Sequence, residues 1–195
     1  AKSVGIPLII DNTMATPFIC QPIQYGADIF VHSTTKFLSG HGNAMGGAIV
    51  DSGTFDWGQN DKYPSLAQPE EAYHGLNFYE SFGDLAYTTY GHAVGLRDLG
   101  PTMAPMNAYL TIMGIETLAL RMEKHVANAE VVANYLDNHE KVSWVSYAGL
   151  EESKYFHLAT KYLPRGAGSV FTFGIKGGYD AGVEFVEKCQ LLSHL

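Results

Sequence analysis

Two stretches decide how this chain folds: Ile6-Pro7-Leu8-Ile9-Ile10-Asp11 and Asp28-Ile29-Phe30-Val31-His32-Ser33-Thr34-Thr35-Lys36. Each is a short continuous apolar run that ends abruptly in polar residues. Uninterrupted rather than alternating apolar residues point to strands of a parallel sheet covered on both faces. Between them, residues 12–28 supply the dozen or so positions that a parallel crossover needs. Pro17 suits a first helical turn and Gly26 a helix end. The expectation is a strand, helix, strand unit, with a third strand at Gly47-Ala48-Ile49-Val50 beyond the glycine-punctuated turn 40–46. In such sheets ligand groups gather past the carboxyl ends of the strands. Asp11 and the segment Ser33 to Lys36 then share one edge.

Further along, residues 51–83 are rich in Gly, Pro, Asn and aromatics, Trp57, Tyr63, Tyr73, Phe78 and Tyr79 among them. This predicts a long ordered excursion, and long ordered loops are often functional. Leu85 to Leu99 reads as a helix stopped by Gly100-Pro101. Asn107 to Leu136 reads as one long helix with an apolar stripe at Leu118, Met122, Ala129, Val132 and Leu136, long enough to bridge two domains. Strands at 142–145 and 170–175 and helices at 154–163 and 179–190 then predict a smaller α/β domain. The expected division is 1–106 for the C-terminal part of a large ligand-binding domain, 107–136 for the connecting helix, and 137–195 for the start of the smaller domain. Trp144, Phe171 and Phe173 are expected in the core of that second domain.

Composition narrows the function. With 195 residues, 46% apolar, 21 Gly and 8 Pro, the chain is long enough for one large domain or one and part of another. It falls well short of the roughly 25–30% Pro plus Gly of low-complexity sequence. Twelve Lys and Arg stand against 20 Asp and Glu, a formal charge of −8, with no basic cluster to neutralise phosphates. Nucleic acid is not an expected partner. No apolar stretch approaches the roughly 18–20 residues of a membrane span, so neither is a membrane. Cys20 and Cys189 are far apart and suggest reduced thiols of a cytoplasmic protein rather than a disulfide or zinc framework. The chain opens on Ala1 close to a strand and stops at Leu191-Leu192-Ser193-His194-Leu195 with no capping signal, which reads as an internal piece of a longer protein. No fixed-period repeat or low-complexity tract is present.

The candidate site is Asp11, Ser33, Thr35 and Lys36. A lysine at the end of a buried strand is unusual, because burial disfavours the ammonium and pushes its pKa down. A neutral lysine amine can form a Schiff base. On an extended backbone Ser33 and Thr35, two apart, face the same way and offer two hydroxyls to a phosphate. A carboxylate at position 11 can pair with a protonated ring nitrogen, as pyridoxal-phosphate sites require. His32, His41, His74 and His92 lack metal-ligand spacing and read as structural or surface residues, so no metal is expected. The glycines of 40–47 fail the dinucleotide-loop spacing.

Together these residues carry a resemblance. Asp28 to Gly42, read continuously, resembles the pyridoxal-phosphate attachment signature of the Cys/Met metabolism enzymes, the cystathionine γ-synthase-like group, and Asp11-Asn12-Thr13 resembles their pyridine-contacting segment. Tyr73-His74-Gly75-Leu76, Leu96 to Gly100, Asn107-Ala108-Tyr109-Leu110, Gly114 to Leu118, Gly166 to Gly178 and the length of the 51–83 insert are similar to the O-acetylhomoserine sulfhydrylase branch. The resemblance implies a fold-type-I pyridoxal-phosphate-dependent transferase of the aspartate aminotransferase-like kind, mostly parallel sheet in its large domain, with pyridoxal 5'-phosphate as cofactor. It also implies a homotetramer built as a dimer of dimers.

Carried over residue by residue, the resemblance makes Lys36 the catalytic residue and the cofactor's anchor. Asp11 keeps the pyridine nitrogen protonated, Ser33 and Thr35 bind the phosphate, and Thr13 supports by a hydrogen bond. The implied reaction is γ-replacement on O-acetyl-L-homoserine by sulfide or a thiol, giving homocysteine (or methionine) and acetate. A cystathionine or methionine γ-lyase, a cystathionine γ-synthase, and a catalytically inactive interaction domain are the alternatives. The family's ring-stacking Tyr, Gly-rich phosphate loop, Tyr/Arg pair lent by a neighbouring subunit and substrate-carboxylate Arg have no counterpart in residues 1–195, which are therefore expected not to sustain turnover by themselves.

Overall fold

Leu8 to Asp11 and Ile29 to Ser33 do run side by side. In a computed structural model, which describes residues 1–193, β1 (Ile9–Asp11) and β2 (Ile29–Ser33) pair in parallel, with Ile9 opposite Ile29, Ile10 opposite Phe30 and Asp11 opposite Val31. The terminal His194 and Leu195, part of the apolar ending noted above, lie outside the described residues. The chain divides into two compact units, Ala1–Pro17 with Gln21–Leu118, and Phe18–Cys20 with the residues from Ala119 onward.

Between β1 and β2 the crossover is not one helix. It is a single turn, α1 (Thr16–Ile19), followed by a 3₁₀ turn at Pro22–Tyr25 that ends on Gly26 in the left-handed conformation, φ 85°. Pro17 fits the first turn, but Pro22 has no N–H to give and its ring collides with the carbonyl four residues back, which stops the helix before it can extend. β3 (Gly47–Asp51) joins the other side of β2 in antiparallel register, Ile29 opposite Asp51 and Ser33 opposite Gly47. The connection from Thr34 to Gly46 contains no helix and has Gly40 and Gly42 at positive φ, so the chain turns back instead of crossing over. The expectation of strands covered on both faces holds for Ile29, which is fully buried, and fails for Ile9 and Ile49, which are 54% and 65% exposed. A continuous apolar strand says what can be covered, not what covers it.

The 51–83 excursion supplies the core of this unit. Ile29, Phe55, Trp57, Leu66, Phe78 and Ala86 form one buried cluster, with Trp57 stacked on Tyr87 at 5.2 Å and Phe78 edge-on to Tyr73 and Tyr90. Its helices are short: α2 (Pro64–Ala67), a 3₁₀ turn at Glu71–Tyr73, and α3 (Phe78–Phe82), whose start is capped by the Asn77 side chain accepting from the Glu80 amide at 3.1 Å. The expected helix over 85–99 begins as α4 (Ala86–Tyr90) and widens into π-type turns over Gly91–Asp98, stopping at Gly100 with φ 86°. The His92 ring nitrogen sits 2.9 Å from the Thr88 carbonyl, competing for the acceptor that an α ladder reserves for the His92 amide.

The long helix expected over 107–136 is two helices, α5 (Pro105–Glu116) and α6 (Leu118–Asp137). Thr117 breaks them at φ −103°, ψ 5°. Both its amide and its hydroxyl turn back to the Gly114 carbonyl, an alternative to the helical ladder that apolar periodicity does not reveal.

The second unit packs α6 against a two-stranded antiparallel sheet, β4 (Val142–Ser146) with β5 (Thr172–Ile175), and adds α7 (Phe156–Tyr162) and α8 (Gly178–Lys188). Ala129, Ala133, Tyr147 and Leu150 form its buried cluster, joined by Val145, Ala167 and Phe171. The buried face of α6 runs Met122, Val126, Ala129, Ala133, so the expected Val132 points outward instead. Trp144 is also outside the core, 53% exposed. Strand alternation gives the core face to Val145, and Trp144 lies over Gly174 on the neighbouring strand, where an added Cβ would come within 2.3 Å of the indole nitrogen. Phe171 and Phe173 are half-buried, the latter edge-on to Phe185.

Candidate active site

At the carboxyl end of β1 the Asp11 side chain is exposed but not loose. The Thr13 amide donates to Asp11 Oδ1 at 2.9 Å, forming an Asx-type turn. The Thr13 hydroxyl accepts from the Ser33 amide at 2.8 Å, which leaves its own proton for Asp11. These two donors, the hydroxyl first and the amide second, hold the Asp11 carboxyl below the usual range, with the nearby His32 adding to the effect. Thr13 therefore ties the end of β1 to the end of β2 and keeps a carboxylate ionised between them. Its place here exceeds the supporting role expected of it; an Asp-x-Thr at a strand end was the available sign.

Ser33 is the last residue of β2, and here the chain leaves the extended conformation. Thr34 to Ser39 form a compact turn: the Lys36 amide donates to the Ser33 carbonyl (3.4 Å), the Ser39 amide to Thr34 (3.0 Å), the Gly40 amide to Lys36 (2.9 Å), and the Ser39 hydroxyl to Thr35 (3.3 Å). Ser33 and Thr35 thus do not share one face of an extended strand. The Thr35 hydroxyl instead accepts from the Gly46 amide at 3.3 Å and reaches the Gly46 carbonyl at 3.5 Å. That second contact is long, so the hydroxyl proton is available to a better acceptor.

Lys36 is exposed, not buried as expected. The strand ends three residues before it, and the turn lifts it clear of the sheet. The buried titratable group at this edge is His32, whose two ring nitrogens have no hydrogen-bond partner and whose imidazole is pushed below its ordinary range by burial, against the pull of Asp11. Thr34 Oγ1 is likewise buried and unpartnered.

The donor set fits pyridoxal phosphate. A carboxylate held ionised is what a protonated ring nitrogen needs, an accessible amine is what an aldehyde needs, and hydroxyls at Ser33 and Thr35 are phosphate donors. Asp11, Thr13 and Ser33 are joined by hydrogen bonds, and Thr35 and Lys36 follow in the next turn.

Comparison with known proteins extends over the whole chain. The model of the Cys/Met metabolism PLP-dependent enzymes matches residues 1–195. The chain belongs to that family. It is 46% identical to an O-acetyl-L-homoserine sulfhydrylase of Leptospira meyeri and 47% identical to a homocysteine synthase of Schizosaccharomyces pombe, in each case over 100% of this chain and 46% of the relative. Among solved structures it is similar to an O-acetylhomoserine (thiol)-lyase of Campylobacter jejuni that carries N'-pyridoxyl-lysine-5'-monophosphate, at TM-score 0.94 and 38% identity, covering 100% of this chain and 48% of that one. It is also similar to a cystathionine gamma synthase of Xanthomonas oryzae pv. oryzae in complex with aminoacrylate and cysteine, at TM-score 0.75 and 30% identity, covering 100% of this chain and 42% of that one. The fold is accordingly fold-type I, of which this chain spans somewhat under half the length of the relatives it matches. Among the described residues no three His, Cys, Asp or Glu cluster as metal ligands, and no helix is long and apolar enough to cross a membrane.

Proposed function

We propose that the protein of which these residues form part carries out γ-replacement on O-acetyl-L-homoserine with sulfide or a small thiol, using pyridoxal 5'-phosphate. The observation that carries this reading is the hydrogen-bonded Asp11–Thr13–Ser33 link leading straight into the Lys36 turn, in a chain 46–47% identical to a sulfhydrylase and a homocysteine synthase. The greater similarity to the thiol-lyase structure than to the cystathionine synthase favours a small sulfur nucleophile over a larger amino-acid one. In the net reaction the γ-carbon to oxygen bond breaks and acetate leaves. A carbon–sulfur bond forms at the same carbon, and the thiol proton balances the charge, with no change in oxidation state.

When bound, the cofactor supplies the electron sink that stabilises negative charge on the substrate carbons. Asp11, kept ionised by Thr13, holds a proton on the ring nitrogen. Ser33 and Thr35 orient the phosphate through their hydroxyls. The Lys36 amine would anchor the cofactor and would carry protons to and from the substrate α, β and γ carbons. A homotetramer, arranged as a dimer of dimers in the cytoplasm, belongs to the same reading. Exposed apolar side chains along α5, Met106, Tyr109 and Ile112, are of the kind that subunit contacts cover.

Borohydride reduction of the purified full-length protein, followed by peptide mapping, is expected to leave a pyridoxyl adduct on Lys36, and Lys36→Ala to leave none. Incubation with O-acetylhomoserine and sulfide is expected to yield homocysteine and acetate. Release of 2-oxobutyrate and ammonia without a thiol would assign the lyase reaction instead, and failure to bind the cofactor would assign an inactive domain.

A further inference from the structure

Helix α5 touches the candidate site at two places. Near its start the Asn107 side-chain amide donates to the Met45 carbonyl at 2.9 Å, next to Gly46, whose backbone holds the Thr35 hydroxyl. Two turns later Gly114 lies against the backbone of the lysine turn. A Cβ built there would stand 2.1 Å from the Ser39 carbonyl oxygen and 2.8 Å from that of Leu38. Both obstacles are backbone atoms of buried residues, Ser39 being fully buried. Neither can step aside as a flexible side chain could, so a side chain at 114 must move the turn or the helix. Ser39 in turn reaches back through its amide to Thr34 and through its hydroxyl to Thr35.

We propose that Gly114 is a positioning residue for Lys36: only a residue without a side chain lets α5 lie directly on the Leu38–Ser39 backbone, and Ser39 passes that position on to Thr35 and Lys36. The proposal rests on the assignment of Lys36 as the cofactor lysine. Helical glycine is costly by propensity alone, which makes its use in the interior of α5 consistent with a contact that no other residue permits.

The test compares Gly114→Ala with Gly95→Ala, a helical glycine where an added Cβ would meet nothing within 4 Å beyond its own helix backbone and chain neighbours. Amide exchange of the cofactor-free full-length protein reads the contact without the cofactor, at Ser39 and Gly40, whose N–H groups close the turn. Gly114→Ala is expected to speed it about tenfold or more, with Gly95→Ala unchanged. On adding pyridoxal phosphate, the rate of borohydride-trapped adduct formation at Lys36 is expected to fall about tenfold or more in Gly114→Ala alone. Parental exchange, or faster exchange with a parental adduct rate, would overturn the proposal. Should Gly114→Ala not fold, Ser39→Ala decides: it removes the hydroxyl link to Thr35 without a collision, and an unchanged adduct rate overturns the relay. If the parent protein forms no adduct while exchange still responds, the functional reading fails and the contact stands.

Discussion

Thr13 spends one hydroxyl on two strands, accepting from the Ser33 amide and donating to Asp11. Thr13→Val keeps the shape and removes both bonds, leaving the Ser33 N–H unsatisfied. A loss of about 1–3 kcal/mol is expected in urea unfolding, together with a higher Asp11 pKa seen by NMR titration. Asp11→Asn is expected to bind cofactor yet lose activity by a factor on the order of 10²–10³, read from steady-state kinetics at saturating cofactor. His32 gives a separate prediction. Its folded-state pKa lies below the unfolded value of 6.5, so the unfolded chain binds the proton first and stability falls as pH drops below that value. Asp11 acts in the same direction in a lower window: its stabilisation is present above 3.8 and is lost as pH falls through its lowered folded value. Chemical denaturation between pH 7 and about pH 5 should therefore show a decline that His32→Phe flattens and Asp11→Asn does not.

At the scale of elements, the aromatic excursion acts as the cover for β2. Phe78, almost fully buried and ringed by Tyr73, Phe82 and Tyr90, is its centre. Phe78→Ala is expected to cost about 3–5 kcal/mol, visible as a lower urea midpoint in the first unit. The strand boundaries were readable because apolar runs ending in Asp11 and Ser33 leave little choice of register. The helices were less readable. The break at Thr117, the two-piece crossover around Pro22 and the π-type turns after Gly91 each depend on a competing hydrogen bond or a ring clash, and these act below the resolution of a periodicity count. Trp144 failed for a related reason: alternation says that two faces differ but not which of them is the core.

Over the whole molecule, 20 Asp and Glu outnumber 12 Lys and Arg, and the net charge of −8 makes copies of the chain repel one another. More telling is the apolar surface left open on α5 and on β3, where Met106, Ile112 and Ile49 are each more than 60% exposed. A polypeptide of residues 1–195 is expected to bind an environment-sensitive apolar dye, and Met106→Glu with Ile112→Glu to reduce that fluorescence.

The sequence by itself determined the family, the fold class and the identity of the candidate residues, because Asp11, Ser33, Thr35 and Lys36 sit in a fixed order around two strands whose apolar runs can pair in few ways. Only the tertiary structure decided that Lys36 is lifted onto an exposed turn, that Thr13 joins the two strand ends, and that Gly114 of α5 meets Ser39 across 75 positions of chain. The last two are contacts between groups distant in sequence, and each ends on a backbone group. Such contacts leave no periodic trace in the chain, since a carbonyl or an amide is present at every position whatever the residue.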